Sequence, residues 1–450
     1  MFQRKLLKDL QVWRNKTKRK PLVIRGARQV GKTTLVNQFA KSFDQYIYLN
    51  LELENDRRPF EQFTTIEQLV QALFFLKNKS QANGKSTLIF IDEIQGVPNA
   101  LNQLRYFYES YPEIAVIAAG SLLETLFDKD VHFPVGRVEY MVLRPASFEE
   151  FLSSIGETAA LEEIKKIPAA PFIHHKLLDL FHTYALIGGM PEIIQEYAIN
   201  KDLTALAPIY ESLITSYQDD VEKYATGTAQ LTHIRHALRS AFYEAGKRIK
   251  FEGFGNSNYR SREMSEALRT LEQAMLLNLI HPTTSYTLPI SPDLKKSPRL
   301  QLLDTGLLNY FVGIQKEIIG TKDLSDVYRG MMIEHLVGQE LLTLKPSVLN
   351  QLIFWVREKN TSSAEIDFLF TYNSKIIPIE VKSGSTGKLK SLQQFMDLVP
   401  HDMSIRFYSG ELNITVAKTP SGKQFRLLSL PYYLVSELEG YLGWMGDGNG

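Results

Sequence analysis

The run Gly26-Ala27-Arg28-Gln29-Val30-Gly31-Lys32-Thr33 sets two glycines, a lysine and a hydroxyl at the spacing of a loop that binds polyphosphate. Glycines let successive backbone N–H groups curl around an anion. A helix beginning near Lys32 would turn its positive end toward the same charge. Lys32 would reach the β- and γ-phosphates and Thr33 would hold Mg2+, with Thr34 beside them among the nucleotide-binding positions. A second group, Asp92-Glu93, closes the run LIFIDE. There Asp92 would bind Mg2+ through water and Glu93 would polarise the attacking water. A third group lies far downstream, at Asp367, Glu380 and Lys382. Two carboxylates suit a hard divalent ion, Mg2+ or Mn2+. A lysine beside them could orient water or stabilise the charge of a phosphorane-like species.

Each group needs an element to hold it. Leu22, Val23 and Ile24 form a short apolar run that stops at Gly26, and Leu35, Val36 and Phe39 follow at helical spacing, so the first group lies on a strand, a loop and a helix. Before it, residues 3–20 are basic, with Leu6, Leu7, Leu10 and Trp13 on one face of an amphipathic helix. Tyr46 to Glu52 reads as a second strand and Phe63 to Leu76 as a helix. Leu88 to Glu93 reads as a buried parallel strand whose C-terminal edge faces a ligand crevice. Asn99 to Tyr108 is then a helix, and Ile114 to Ser121 and Val138 to Leu143 are strands. Residues 148–225 are mostly helical, broken at Gly188-Gly189 and Pro191, with the length of a lid or linker bundle over the nucleotide.

Residues 228–310 suggest a winged helix-turn-helix. Leu231 to Ala245 is its first helix. Arg260 to Leu276 carries Met264, Leu268, Leu271, Ala274 and Met275 on one face, and Leu277 to Tyr286 with Arg299 to Leu303 supply wing strands. Arg260, Arg262 and Arg269 are its candidate nucleic-acid contacts, DNA before RNA; a packing module is the alternative. Residues 325–440 form a separate unit. Met331 to Leu344 is a helix with Glu334 near its start, followed by strands at Phe354 to Arg357, Ile366 to Phe370 and Lys375 to Lys382, the last two joined by a turn at Tyr372-Asn373-Ser374. Glu380 and Lys382, two apart on a strand, share a face, and Asp367 on the neighbouring strand can join them. Pro378 sits awkwardly inside that strand, since proline belongs at edges or bulges.

The composition bounds the rest. Hydrophobic residues make up 44% of 450 and charged residues 22%, a globular balance with room for two to four domains. The formal net charge is +1, so any nucleic-acid contact must come from local patches. The absence of cysteine excludes disulfides and thiolate metal sites. The first residues carry charge inside their apolar run, unlike a signal peptide, and no apolar run reaches the roughly 18 residues of a membrane span. A cytoplasmic protein without membrane contact is the expectation, with homo-oligomerisation left open.

Residues 20–155 resemble the AAA+ type of P-loop ATPase, in which a helix-covered parallel sheet carries both Walker motifs. More narrowly, IRGARQVGKTTL, LIFIDEIQ, AAGS and LRPASFEEFL resemble a group of bacterial and archaeal AAA ATPases in which an uncharacterised C-terminal region follows the ATPase. The resemblance continues through GGMPEII, LLDTGLL and EIDFLF…IPIEVKSG. It implies that Ser121 could sense the γ-phosphate. Arg137, in the loop before the fifth strand, could serve as an arginine finger, with Arg28 as a further candidate. Asp367, Glu380 and Lys382 match the D…ExK signature of restriction-endonuclease-like nucleases; a degenerate nuclease fold used for binding is the alternative. The expected layout is α/β throughout: an AAA+ core over 1–155, a helical linker over 156–225, a winged helix over 226–322 and a restriction-endonuclease-like domain over 323–450. The expected function is ATP-dependent action on nucleic acid, with metal-dependent cleavage open. The alternative is an ATP-controlled switch that binds a protein partner.

Overall fold

The apolar run before the glycine loop forms β1 (Leu22–Arg25) and the segment after it α2 (Lys32–Ala40), preceded by α1 (Leu6–Arg14). The structure, a computed structural model, describes residues 3–81, 86–120, 136–225, 227–315, 331–359, 362–384 and 389–447. Ser121 lies outside them. Four more strands, β2 (Gln45–Asn50), β3 (Thr87–Asp92), β4 (Ala115–Gly120) and β5 (Glu139–Val142), complete a parallel sheet in the order β2-β3-β4-β1-β5. Parallel strands need crossovers that cover the sheet faces. Accordingly every residue of β3 and β4 is buried. On β1, Leu22 and Ile24 enter one core with Leu35, Val36 and Phe39, while Val23 enters the other with Ile47, Ile89 and Val116. β4 lies between β1 and β3, so the glycine loop after β1 and the carboxylates that end β3 open at the same C-terminal edge of the sheet.

Helices α3 (Glu54–Gln62), α4 (Ile66–Leu76) and α5 (Pro98–Ser110) complete this layer. The first is polar, contains Pro59 and has no apolar stripe, so no period in the sequence announces it. Buried Asp56 anchors it by accepting the Asn50 N–H at 2.9 Å and pairing with Lys77 at 2.5 Å.

A helical bundle follows: α6 (Phe148–Ser154), α7 (Thr158–Ile164), α8 (His174–Ile187), α9 (Pro191–Asn200) and α10 (Ala207–Asp220). Ser147 and Glu150 form a reciprocal cap at the start of α6. Gly188-Gly189 breaks the bundle where backbones touch: a Cβ on Gly189 would lie 2.3 Å from Ala146 O.

Next come α11 (Thr228–Glu244), α12 (Ser261–Gln273), β6 (Leu277–Ile280), β7 (Pro282–Thr283), β8 (Arg299–Leu302) and α13 (Thr305–Phe311). As expected for α12, Met264, Leu268 and Leu271 are buried, and Arg260, Arg262 and Arg269 are exposed. The wing departs from expectation. Leu277 to Tyr286 is not one strand: β6 pairs with β8, whereas β7 leaves to join a C-terminal sheet. Pro282 brings no N–H to extend the β6 ladder.

The C-terminal region contains α14 (Met331–Thr343), β9 (Phe354–Lys359), β10 (Ser362–Ile366), β11 (Phe368–Tyr372), β12 (Lys375–Val381), α15 (Lys390–Met396), β13 (Met403–Tyr408), β14 (Asn413–Lys418), β15 (Gln424–Pro431) and α16 (Leu438–Gly446). A five-stranded sheet runs β11-β12-β13-β15-β14, and β10-β9-β7 forms a smaller one. Asp367 does not lie on a strand as expected: it occupies the break between β10 and β11, where the chain passes from one sheet to the other. The turn at Asn373 and Ser374 has φ of 45° and 59°, as a tight hairpin demands. Pro378 is accommodated because β12 pairs with β13 only from Ile379 onward, so no neighbour on that side asks for its missing N–H. One apolar core, with members from Leu6 to Met445, runs through all these units. Among the described residues no helix is long and apolar enough to cross a membrane.

Candidate nucleotide site and a second carboxylate cluster

The glycine loop has the backbone that its residues allow. Gly31 takes φ 93° and Gln29 φ 63°, and a Cβ on Gly26 would meet Leu143 O at 2.4 Å. Lys32 is buried, and its Nζ donates to Gly26 O and Ala27 O, both at 2.9 Å. Burial lowers its pKa to about 8, against the opposing pull of Glu93 and Asp92. Thr33 Oγ1 donates to Asp92 Oδ2 at 2.6 Å, which closes the crevice between α2 and β3. Glu93, at φ 53°, receives the Gln95 side-chain N–H on Oε2. The lysine on the loop's own carbonyls, the Thr33–Asp92 pair and the left-handed turns fit a polyphosphate with its Mg2+. Lys32 and the loop N–H groups would hold the anion, and Thr33 and Asp92 the metal.

The cavity over this loop, about 460 Å³, is lined by Arg28, Lys32, Thr33, Thr34 and Glu93 on one side and by Pro191, Glu192, Gln195, Ser216 and Asp220 on the other. The bundle therefore forms the far wall. Tyr217 OH donates to Arg28 O at 2.9 Å, and Arg28 pairs with Asp220 at 2.7 Å and with Glu52 at 3.1 Å. Those pairs turn Arg28 toward α10 and β2. Arg137 lies before β5, at the end of the strands opposite the loop, and pairs with Glu109 at 3.1 Å. The structure does not bring it to Lys32 of the same chain.

Several residues behind the cavity, outside its lining, carry no sequence motif. Buried Arg4 donates to Val30 O at 2.8 Å and pairs with Glu150 at 3.1 Å, clamping the loop to α6. Asp304, directly after β8, accepts the Gly189 N–H at 2.6 Å and the Leu307 N–H at 3.1 Å. Burial pushes its pKa up to about 6, against those bonds. Glu340 on α14 accepts the Phe148 N–H at 3.1 Å, and burial raises it to about 7. Tyr184 OH lies 2.6 Å from Glu340 Oε1 and 2.9 Å from Ala146 O. Tyr184 OH is the donor toward both, so its one proton has a carboxylate oxygen and a backbone carbonyl as alternative acceptors. Glycine and aspartate spacing in GGMP and LLDTG was the only available signal for this network.

The second cluster gathers at the β10–β11 break. Asp367 Oδ2 accepts the Val381 N–H at 2.7 Å, and Lys382 Nζ donates to Glu380 Oε1. Glu380 Oε2 is buried without a hydrogen-bond partner. Burial raises both carboxyls, and Asp367 raises Glu380 further. An orphaned buried oxygen beside a second carboxylate fits a hard cation. Glu334, expected nearby, turns instead to Arg299, and among the described residues no group of three or more His, Asp or Glu could hold a metal ion. Arg262 and Arg269 share one face of α12, while Arg260 sits at its N-cap.

Residues 18–152 match the family model described as "AAA domain". They form an AAA-type P-loop ATPase domain. Residues 178–318 and 329–433 match two families described as domains of unknown function (DUF8612 and DUF4143). No curated protein matches. The solved structures similar to the chain include a Walker-type ATPase of Pyrococcus abyssi, 15% identical over 69% of this chain and 96% of that one, with a TM-score of 0.44. The ORC1 protein of Aeropyrum pernix in complex with DNA is 14% identical over 69% and 90%, with a TM-score of 0.28. A signal-transduction ATPase with a tetratricopeptide repeat sensor from Pyrococcus horikoshii is 13% identical over 74% and 46%, with a TM-score of 0.27. The AAA domain is thus followed by two units whose matched families carry no assigned activity.

Proposed function

We propose that the chain binds and hydrolyses ATP at the glycine loop and uses that cycle to act on nucleic acid, with Asp367, Glu380 and Lys382 as a metal-dependent phosphodiester site. The observation that carries the ATPase reading is the Thr33–Asp92 bond beside buried Lys32. Lys32 would offset phosphate charge, Thr33 and Asp92 would hold Mg2+, and Glu93, oriented by Gln95, would take the proton of the attacking water. Arg28 and Asp220 carry the state of the loop to α10. For the second site the support is the buried, unpartnered Glu380 Oε2 next to Asp367. A divalent ion there would polarise a phosphate, and Lys382 would stand beside the developing charge. Exposed Arg260, Arg262 and Arg269 would meet backbone phosphates.

A second reading is an ATP-controlled switch that cuts nothing. One observation favours it: Arg299 fills the space between Glu334 and Glu365. The test is phosphate release by wild type and Glu93→Gln, with DNA, RNA or neither. The ATPase reading expects Glu93→Gln to keep nucleotide binding and lose turnover, and the nucleic-acid reading expects stimulation by DNA. Wild-type turnover in Glu93→Gln would refute the first. Cleavage by wild type with Mn2+, lost in Asp367→Asn, would decide against the pure switch.

A further inference from the structure

We infer that Arg299 is a tethered cation held beside the Asp367–Glu380 cluster, where its charge opposes the binding of a divalent metal ion. This rests on reading that cluster as a metal site. Arg299 does not belong to the C-terminal region. It projects from β8, which pairs with β6 in the preceding unit, and it is 4% exposed. Its two terminal nitrogens go to carboxylates on different elements, Nη1 to Glu334 of α14 and Nη2 to Glu365 of β10. Nη1 also donates to the backbone carbonyl of Asp367 at 3.2 Å. The guanidinium lies 4.6 Å from the centre of the Phe354 ring, so an aromatic face completes its cage.

The charge balance makes this more than a docking contact. Glu334, Glu365, Asp367 and Glu380 face Arg299, Lys382 and Arg248, the last 3.8 Å from Glu365. Arg299 lies near enough to favour the ionised forms of both Asp367 and Glu380. A dication needs net negative charge and free oxygens. Here Arg299 and Lys382 supply most of the compensating charge, and Glu380 Oε2 is a buried oxygen without a hydrogen-bond partner. A guanidinium presents its charge through a rigid fork, so it fills a two-carboxylate gap as a small ion would. A metal ion taken up at Glu380 would therefore sit against the fixed charge of Arg299. Repulsion between a guanidinium and a dication a few ångströms apart costs about tenfold in affinity even at the dielectric of water.

Calorimetric titration of Mn2+ into the nucleotide-free full chain tests this, with wild type, R299Q, R299M, E380Q and the double variant R299Q/E380Q. The expected result is weak uptake by wild type, about tenfold or more tighter binding by R299Q, and loss of that gain in R299Q/E380Q. Melting curves check that R299Q folds. If it does not, R299M decides, since methionine removes the charge but keeps an apolar side chain against the Phe354 ring, and it should bind Mn2+ more tightly than wild type. Equal affinity in wild type and the Arg299 variant, with uptake lost in E380Q, overturns the inference while the metal-site reading stands. No Mn2+ uptake by any of these proteins overturns the metal site and the inference together.

Discussion

Nucleotide affinity should fall as pH rises above about 8, because of one side chain. Lys32 is fully enclosed, and its pKa in the nucleotide-free protein is lowered to about 8 by burial. The ordinary value of a lysine is about 10.4, and a polyphosphate against the ammonium would restore it to that region or higher. Binding is therefore coupled to proton uptake between those two values. Below about 8 the lysine is charged before nucleotide arrives and affinity is level. Above it, each pH unit should cost up to about tenfold. Between pH 7 and 9.5 the loss works out at about 30-fold, or about 2 kcal/mol. Equilibrium binding of a fluorescent ATP analogue across that range, in buffers of differing ionisation enthalpy, would measure both the affinity and the proton. Lys32→Arg provides the control, because its guanidinium stays charged throughout. A wild-type curve flat to pH 9.5, or one matched by Lys32→Arg, would refute the reasoning.

Asp304→Ala should lower stability by about 2–4 kcal/mol, since it leaves the Gly189 and Leu307 N–H groups buried without an acceptor. Thermal melting within about 1 °C of wild type would argue that water replaces the carboxylate. Tyr217→Phe removes the bond to Arg28 O and should weaken ATP binding about two- to tenfold with little change in melting temperature; unchanged affinity would show that α10 does not hold the loop. If the chain binds DNA through α12, replacing Arg260, Arg262 and Arg269 with alanine should reduce the slope of log affinity against log salt by about 2–3. An unchanged slope would leave α12 as a packing helix.

What the sequence made legible is local. The loop Gly26 to Thr33, the strand ending at Asp92 and the hairpin around Asn373 all write their geometry into consecutive residues, through apolar runs, glycines and a turn. The helix at Glu54–Gln62 stayed hidden because its anchor is a buried aspartate rather than a stripe of apolar side chains. A bundle over the nucleotide is legible in the length of residues 148–225, but the side chains by which it meets the loop are not. Arg4, Pro191, Tyr217 and Asp220 meet the loop only after folding, across separations that no spacing rule covers. Arg299 is the clearest case. On sequence it is one basic residue at the start of a wing strand, and only the passage of β7 into the neighbouring sheet brings β8 against Glu334 and Glu365. Asp367 is legible as part of a motif, but it stands one residue before β11, because the chain changes sheets there.

The shared apolar core has a consequence for taking the molecule apart. Phe148 and Phe151 lie within the segment that matches the AAA domain, yet the rings that cover them, Phe181 and Tyr184, belong to α8. Ala169 N–H is held by Tyr441 OH, and Val142 N–H by Pro346 O, so the last helix and the last unit reach back into the first two. A fragment cut near residue 155 would keep the glycine loop but bare an aromatic face and lose Tyr217 and Asp220. A fragment starting near residue 323 would strand Glu334 and Glu365 without Arg299. The three matched segments are thus a single mechanical part. Heated, they should melt in one transition, and a swap of any one of them between relatives would have to carry its mating surfaces along.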